Sequence, residues 1–177
     1  MLITVTGGIG SGKTKFALGY AAEISREGIY LSTGDHEAII PEFPSAHYRV
    51  IEAGNGQHLT EVIHQINRES NLFLADRRIV IVDSLTSWMV AGFRANDDLD
   101  EQRVETQRLL DAMLSYQGKM LVITNEMHGS LNPTEEERIF AARMASVNRA
   151  LQAHSEQVYM LVSGLAMELK ARSVRYE

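Results

Sequence analysis

The clearest chemical motif in the chain is a glycine-rich run near its beginning that ends in a lysine and a threonine. It fits the pattern G-x-x-x-x-G-K-[ST] and consists of Gly7, Gly8, Ile9, Gly10, Ser11, Gly12, Lys13 and Thr14. Glycines let the backbone curl so that its N–H groups point at a bound anion, and a following helix adds its positive end. Lys13 can reach the β- and γ-phosphates of a nucleoside triphosphate, while Thr14 can offer its hydroxyl to Mg²⁺. A short apolar strand precedes the motif and a helix follows, which is the context that a phosphate-binding loop requires.

An acidic residue at the end of another strand would complete such a site. Asp83 follows the apolar run at 79–82 and is placed to hold Mg²⁺ directly or through water. The alternative is that Asp83 caps the helix that starts at Ser84, because Asp is a good N-cap residue. Beside the glycine-rich loop we favour the magnesium role, with Thr14 and Asp83 as the metal ligands.

Polar residues also follow four other predicted strands. They are Ser32-Thr33-Gly34, Glu52, Asn125-Glu126 and Ser163-Gly164. Each group alone is typical of a turn or a cap. Ligands of open α/β sheets lie outside the carboxyl ends of the strands, so the set together predicts one binding edge.

The six histidines show no metal-binding spacing such as H-E-x-x-H. His36 and His47 bracket an irregular segment with two prolines, and either could act as a nucleophile or base if that segment folds over the phosphates. We interpret His58, His64 and His154 as surface histidines or as polar histidines whose hydrogen bonds are satisfied.

Composition and charge exclude several classes of protein. The 177 residues, 45% hydrophobic and 23% charged, predict a single globular domain over residues 1–177. The absence of cysteine excludes disulfides, thiolate catalysis and cysteine-ligated zinc. The net charge of −6 argues against a nucleic-acid partner. Because we find neither a long apolar run nor a secretory signal, we expect a cytoplasmic protein without a membrane span.

Hydrophobic periodicity predicts alternating strands and helices. Strands are predicted at 2–6, 29–32, 48–51, 78–83, 120–124 and 157–163, with a last edge strand over 167–174. Helices are predicted at 13–27, where Gly28 stops the first one, around 59–66, at 97–117, and after a capping box formed by Thr134 and Glu137. This alternation predicts an α/β fold with a mainly parallel sheet and helices on both faces.

The sequence resembles the bifunctional adenosylcobinamide kinase / adenosylcobinamide-phosphate guanylyltransferase family of cobalamin synthesis over nearly its whole length. The resemblance begins with the glycine-rich loop and is most specific in the T-N-E run at 124–126. The other residues that carry it are Tyr30 to Thr33, Glu52, Val82 to Thr86, Trp88, Pro133, Arg138, Phe140, Asn148 and Val162 to Gly164.

The resemblance implies a P-loop NTPase with a recombinase-like fold, commonly assembled as a trimer. It implies that a nucleoside triphosphate, ATP or GTP, phosphorylates adenosylcobinamide and that GTP then donates GMP through a guanylylated histidine. Lys13 and His36 would be the catalytic residues. The nucleotide contacts would be Gly7 to Thr14, Ser32, Thr33, Gly34, Glu52 and Asp83.

Two alternatives remain open at this point. His36 stands between Asp35 and Glu37 with no basic neighbour, and alanines occupy 141–142 where the family usually has Arg-Asp. A histidine that reacts with GTP should have cations nearby to offset the triphosphate charge. The alternatives are therefore a kinase-only homologue acting on another small alcohol, and a nucleotide-binding regulatory protein that has lost guanylyl transfer.

Overall fold

Seven strands form one sheet in a computed structural model that describes residues 1–34, 47–53, 58–70, 77–95, 98–127 and 132–172. The strands are β1 (Leu2–Gly7), β2 (Glu27–Ser32), β3 (His47–Glu52), β4 (Arg78–Asp83), β5 (Lys119–Ile123), β6 (Gln157–Val162) and β7 (Leu165–Glu168). Their order across the sheet is β3-β2-β4-β5-β1-β6-β7. All neighbouring pairs are parallel except β6 and β7, which confirms the predicted mainly parallel sheet.

Five α-helices connect these strands within the described residues. They are α1 (Lys13–Ile24), α2 (His58–Glu69), α3 (Leu85–Ala95), α4 (Leu99–Leu114) and α5 (Glu135–His154), and a short 3₁₀ helix covers Lys170–Arg172. The predicted capping box is confirmed, since Thr134 Oγ1 accepts from Glu137 N and Glu137 Oε2 accepts from Thr134 N. Asp98 caps α4 in a similar way, by accepting from the N–H groups of Asp100 and Glu101.

Both faces of the sheet are covered by helices, as predicted. Residues 3 and 5 of β1 point to the face that α1 covers, where they pack against Ala17 and Leu18. Leu2 points to the other face, which α2, α3, α4 and α5 cover. Strands covered on both faces must be apolar on both, which explains the continuous burial of β1 and of 79–82 in β4. Trp88 lies in the second of these cores and is only 4% exposed.

Predicted boundaries are wrong by more than one residue in three places. The helix predicted at 97–117 covers Leu99–Leu114, with Asp98 and Ser115 as its caps. The first helix ends at Ile24, and Gly28 lies inside β2, because the Tyr48 ring of β3 lies over its α-carbon and leaves no room for a side chain. The last strand covers Leu165–Glu168 instead of 167–174, because Ser163 and Gly164 both adopt positive φ and form a two-residue turn that returns the chain at once.

Candidate phosphate-binding site

The glycine-rich run forms a tight loop between β1 and α1. Gly7 has a φ of 149°, and a β-carbon there would lie 2.4 Å from the carbonyl oxygen of Leu161 on β6. Gly12 is the N-cap of α1 and has a left-handed φ of 92°. Glycine is therefore required at both positions, by close approach at the first and by backbone conformation at the second. The N-terminus of α1 consequently opens toward the concave side of the loop, where an anion would bind.

Lys13 projects back over the loop that precedes it. Its ammonium donates to the carbonyl oxygens of Gly8, at 2.6 Å, and Gly7, at 3.2 Å. Burial lowers the pKa of Lys13, and the nearby charge of Asp83 opposes that shift. A partly desolvated cation at the N-terminus of α1 attracts a phosphate more strongly than an exposed lysine would.

Asp83 lies across from the loop at the end of β4 and accepts hydrogen bonds from two side chains. Its Oδ2 accepts from the Thr14 hydroxyl at 2.7 Å and from the Tyr30 hydroxyl at 2.8 Å. Ser84, instead of Asp83, caps α3, because Ser84 Oγ accepts from the N–H of Ser87. The capping role considered for Asp83 from sequence is therefore filled by its neighbour.

The Thr14 hydroxyl and the Asp83 carboxylate suit a magnesium ion. Mg²⁺ prefers oxygen donors and takes one or two protein groups together with phosphate oxygens and water. Within the described ranges, no three or more His, Asp or Glu side chains are grouped so as to hold a metal alone. The chemistry of the two donors thus fits an ion that arrives with a nucleotide.

The end of β2 adjoins Asp83 in the sheet, and the end of β3 lies one strand further out. Ser32 of β2 lies opposite Asp83 of β4 on one side and opposite Glu52 of β3 on the other. The Thr33 hydroxyl donates to the carbonyl oxygen of Ser84 at 2.6 Å, which ties β2 to the chain that leaves β4. Gly34 follows Thr33, and the Glu52 side chain is exposed. These residues lie at the carboxyl edge together, as the sequence predicts.

The end of β5 is tied to both β1 and α5. Glu126 N–H donates to the carbonyl oxygen of Gly7, and its carboxylate accepts from the Thr6 hydroxyl at 2.8 Å. Asn148 of α5 accepts from the Thr124 hydroxyl and donates to the carbonyl oxygen of Asn125. The T-N-E run therefore forms a hydrogen-bonded corner directly beside the start of the glycine-rich loop.

The Ser163–Gly164 turn after β6 braces the same loop from the other side. Gly164 N–H donates to the carbonyl oxygen of Ser11 at 3.1 Å. This turn was expected at the binding edge because of its polar residues. Its observed contact is structural support of the loop by a backbone hydrogen bond.

The candidate histidines are not part of this described cluster. His36 lies outside the described residues. His47 starts β3, so its backbone lies five residues, roughly 17 Å, from Glu52 and at the opposite edge of the sheet. The sequence-based hypothesis that His47 acts from a loop over the phosphates is wrong, since strand β3 fixes it at the amino edge.

Three residues of the cluster escaped sequence analysis as site residues. Tyr30 resembles an ordinary apolar strand residue, and only its hydroxyl reaches Asp83. Thr6 and Thr86 are equally inconspicuous, although Thr86 Oγ1 accepts from the N–H of Asn125 at 2.8 Å. Tyr30 and Thr86 lie in runs that carry the family resemblance, which is the sequence signal that could have pointed to them. For Thr6 the signal is a threonine at the end of an apolar strand.

The strand order and the glycine-rich loop define an α/β P-loop fold of recombinase-like architecture. The solved structure of the RadB recombinase superposes with a TM-score of 0.57 over 90% of this chain and 73% of that one, at 17% identity. At that identity the likeness shows the fold alone. It confirms the α/β P-loop fold predicted from sequence.

The chain belongs to the cobinamide kinase / cobinamide phosphate guanyltransferase family, whose model matches residues 3–169. Among curated proteins it is similar to the bifunctional adenosylcobalamin biosynthesis protein CobU of Escherichia coli K12. The two are 28% identical over 189 residues, which cover 96% of this chain and all of that protein. No helix among the described residues is long and apolar enough to cross a membrane.

Proposed function

We propose that this protein is a bifunctional enzyme of adenosylcobalamin biosynthesis. It phosphorylates adenosylcobinamide and then transfers GMP from GTP to the product. The observation that supports this best is the placement of Lys13, Thr14 and Asp83 around one loop in a chain of the cobinamide kinase family. Those groups suit the binding of a nucleoside triphosphate, both for attack at its γ-phosphorus and for attack at its α-phosphorus.

In the first reaction, the hydroxyl oxygen of the substrate's aminopropanol arm attacks the γ-phosphorus of ATP or GTP. The bond from that phosphorus to the β–γ bridging oxygen breaks, the nucleoside diphosphate leaves, and the hydroxyl proton passes to solvent. Loop N–H groups and the Lys13 ammonium bind the phosphates and offset the charge that develops on the leaving oxygen. Ser32, Thr33, Gly34 and Glu52 border the nucleotide on the side of β2 and β3.

In the second reaction, an imidazole nitrogen of His36 attacks the α-phosphorus of GTP and pyrophosphate leaves. A phosphate oxygen of adenosylcobinamide phosphate then attacks the same phosphorus, the imidazole leaves, and the histidine is regenerated. Covalent catalysis of this kind divides one difficult transfer into two easier ones. Mg²⁺, held by Thr14 and Asp83, would neutralise phosphate charge in both reactions.

We also propose that the protein acts in the cytoplasm as a homo-oligomer, a trimer by resemblance to its family. The β6–β7 hairpin supports association. Val162 pairs with Leu165 and Met160 pairs with Met167, so these four apolar side chains share one face. Three of them, Val162, Leu165 and Met167, are more than half exposed. Exposed apolar patches of this kind are typical of contact surfaces, and we assign this one to a second copy of the chain.

Labelled GTP tests the two reactions separately. The protein is incubated with α-labelled or γ-labelled GTP, with and without adenosylcobinamide. We expect acid-labile, alkali-stable label on the protein from α-labelled GTP, and label on cobinamide from γ-labelled GTP. His36→Ala should abolish the protein label, while the control His47→Ala should keep it.

Other results distinguish the alternatives. Label on cobinamide from γ-labelled nucleotide alone would show a kinase-only enzyme. Nucleotide binding without label on either the protein or the cobinamide would contradict both enzyme activities and favour the regulatory protein.

A further inference from the structure

A cavity of about 850 Å³ lies between α3, α4 and α5, outside the phosphate-binding loop. Its apolar wall includes Trp88, Phe93 and Phe140, and the last two rings meet edge to face with centroids 5.5 Å apart. Its other wall is the first half of α4. Cavities of this size and mixed character are typical of small-molecule sites.

The cavity lies beyond the carboxyl edge of the sheet, on the same side as the loop. Asn148 of α5 is bonded to Thr124 and Asn125 at that edge. Phe140 precedes Asn148 by eight residues, so it lies about 12 Å further along the helix axis, away from the sheet. Helix α3 begins two residues after Asp83 and rises beside α5 until Phe93 meets Phe140. The cavity therefore lies beyond the same edge of the sheet as the candidate phosphate site. Helix α3 connects the two, since it begins two residues after Asp83 and lines the cavity from Trp88 onward.

The polar wall of the cavity carries more acid than base. Asp100, Glu101 and Glu105 line it, together with Arg108 and Arg143. Arg143 already donates to the carbonyl oxygen of Leu99, and Arg108 pairs with Glu105 at 3.7 Å. The Arg108–Glu105 pair cancels one charge of each sign, so Asp100, Glu101 and Arg143 leave the wall with a net charge of −1, which favours a cation and amide donors.

We propose that this cavity binds the corrin macrocycle of the acceptor substrate, an inference that rests on the proposed function. A corrin presents broad apolar faces fringed with amide side chains. Adenosylcobinamide lacks the phosphodiester of complete cobalamins and carries a net positive charge. Among the apolar lining residues, Ala91, Phe93 and Val104 keep exposed surface that suits the faces, and the carboxylates of α4 suit the amide N–H groups and the charge. A macrocycle seated here would direct its hydroxyl arm along α3 toward the glycine-rich loop.

Gly92 allows the cavity to be filled without disturbing the helices. It lies on α3 and lines the cavity, and a β-carbon built on it meets nothing within 4 Å. Gly92→Leu would therefore place a side chain in the space proposed for the macrocycle. Gly19 of α1 offers a matched control, because it is also a helical glycine with open space at its β-carbon and lies on the other face of the sheet.

The test is equilibrium dialysis of purified protein against adenosylcobinamide, followed by its absorbance. We expect Gly92→Leu to raise the corrinoid Kd about tenfold or more, and to leave the Kd for a fluorescent GTP analogue unchanged. Gly19→Leu should match the unsubstituted protein for both ligands. If Gly92→Leu binds the corrinoid as tightly as Gly19→Leu does, the macrocycle binds elsewhere and the proposal is wrong.

A second variant covers the case in which Gly92→Leu fails to fold. Val104 lines the same cavity from α4 and is 51% exposed, so Val104→Phe fills the space from a tolerant position. Normal corrinoid binding by a folded Val104→Phe would overturn the proposal as well. Failure of the proposed function gives a different pattern. The unsubstituted protein would bind the corrinoid and the Gly92→Leu variant would not, yet the unsubstituted protein would form no phosphorylated product.

Discussion

The Lys13 ammonium is held by two carbonyl oxygens of its own loop. Those bonds orient the side chain across the loop, so little rearrangement is needed when a phosphate exchanges with the carbonyls. Its lowered pKa shows that burial already disfavours the cation. A bound anion would restore the lost electrostatic stabilisation, which is why this lysine should contribute more to binding than a solvated one.

We expect Lys13→Ala to lower triphosphate turnover at least about tenfold, because it removes the cation beside the β- and γ-phosphates. Steady-state phosphorylation of adenosylcobinamide measures the effect. Lys15→Ala is the control, since Lys15 is exposed two residues further along α1. Near-normal turnover in Lys13→Ala would refute the assignment of the loop.

Asp83 and Tyr30 illustrate what sequence can and cannot show about single residues. Asp83 could be predicted, because an acid after a run of apolar β-branched residues is unusual and has few explanations. Tyr30 could not be predicted, because its ring belongs to the core and only its hydroxyl reaches the site. Burial and the Asp83 carboxylate both raise the pKa of Tyr30, so its hydroxyl stays protonated and continues to donate to Asp83.

Helix α5 fixes the end of β5 through one buried side chain. Asn148 is 3% exposed and uses both its oxygen and its nitrogen, toward Thr124 and Asn125. An asparagine satisfies a hydroxyl donor and a carbonyl acceptor at once, which no apolar residue can do. The corner that carries Glu126 therefore depends on α5 for its position.

Asn148→Ala should destabilise the protein by about 1–3 kcal/mol, because it leaves buried polar groups without partners. Urea unfolding followed by circular dichroism gives the free energy of unfolding. Arg149→Ala, at an exposed position one residue further on, should change it by less than about 0.5 kcal/mol. Equal values for the two variants would show that the corner is held by other contacts.

Gly28 is required by packing between two strands. It lies opposite Tyr48 in the register of β2 and β3, and a β-carbon would come within 2.1 Å of the Tyr48 ring. A glycine covered by an aromatic ring of the neighbouring strand is a known way to stabilise a sheet at a residue without a side chain. A glycine after a helical pattern is more often a helix end, which is why the sequence suggested that role.

We expect Gly28→Ala to lower the free energy of unfolding by about 1–3 kcal/mol, because the methyl group displaces the Tyr48 ring. Gly19→Ala, at a half-buried glycine of α1 with open space at its β-carbon, should have the opposite sign and stabilise by about 0.5–1 kcal/mol. Thermal and urea unfolding of both variants measures this difference. Adding Tyr48→Ala to Gly28→Ala should recover part of the loss, and additive effects would contradict the proposed contact.

Elements with a regular pattern were predictable, and those set by distant contacts were not. The strand at 78–83 and the capping box of α5 match the structure because local sequence determines them. Helix α3 was expected only as a helix after Ser84, since its buried residues are confined to the first half of the helix, at 85, 86, 88 and 89. The loop and Asp83 could be located from sequence, whereas the bonds from Thr6, Thr86 and Tyr30 depend on chain segments brought together by folding.

The β6–β7 hairpin at the edge of the sheet predicts where copies of the chain associate. Leu165→Glu would place a charge on the exposed apolar face of β6 and β7, where Leu165 is 77% exposed. We expect it to shift the protein from an oligomer to a monomer in size-exclusion chromatography with light scattering. Leu114→Glu, at a separate exposed leucine of α4, should leave the mass unchanged. An oligomer that survives Leu165→Glu would place the interface elsewhere.

The strand order also has a consequence for how the protein emerges from the ribosome. β1 lies inside the sheet between β5 and β6, and the loop after it is braced by Gly164. After β1 has left the ribosome, most of the remaining residues must therefore be synthesised before either neighbouring strand can pair with it. The glycine-rich loop is translated first and completed last, so truncated products should be unable to trap nucleotide even though they contain the entire motif.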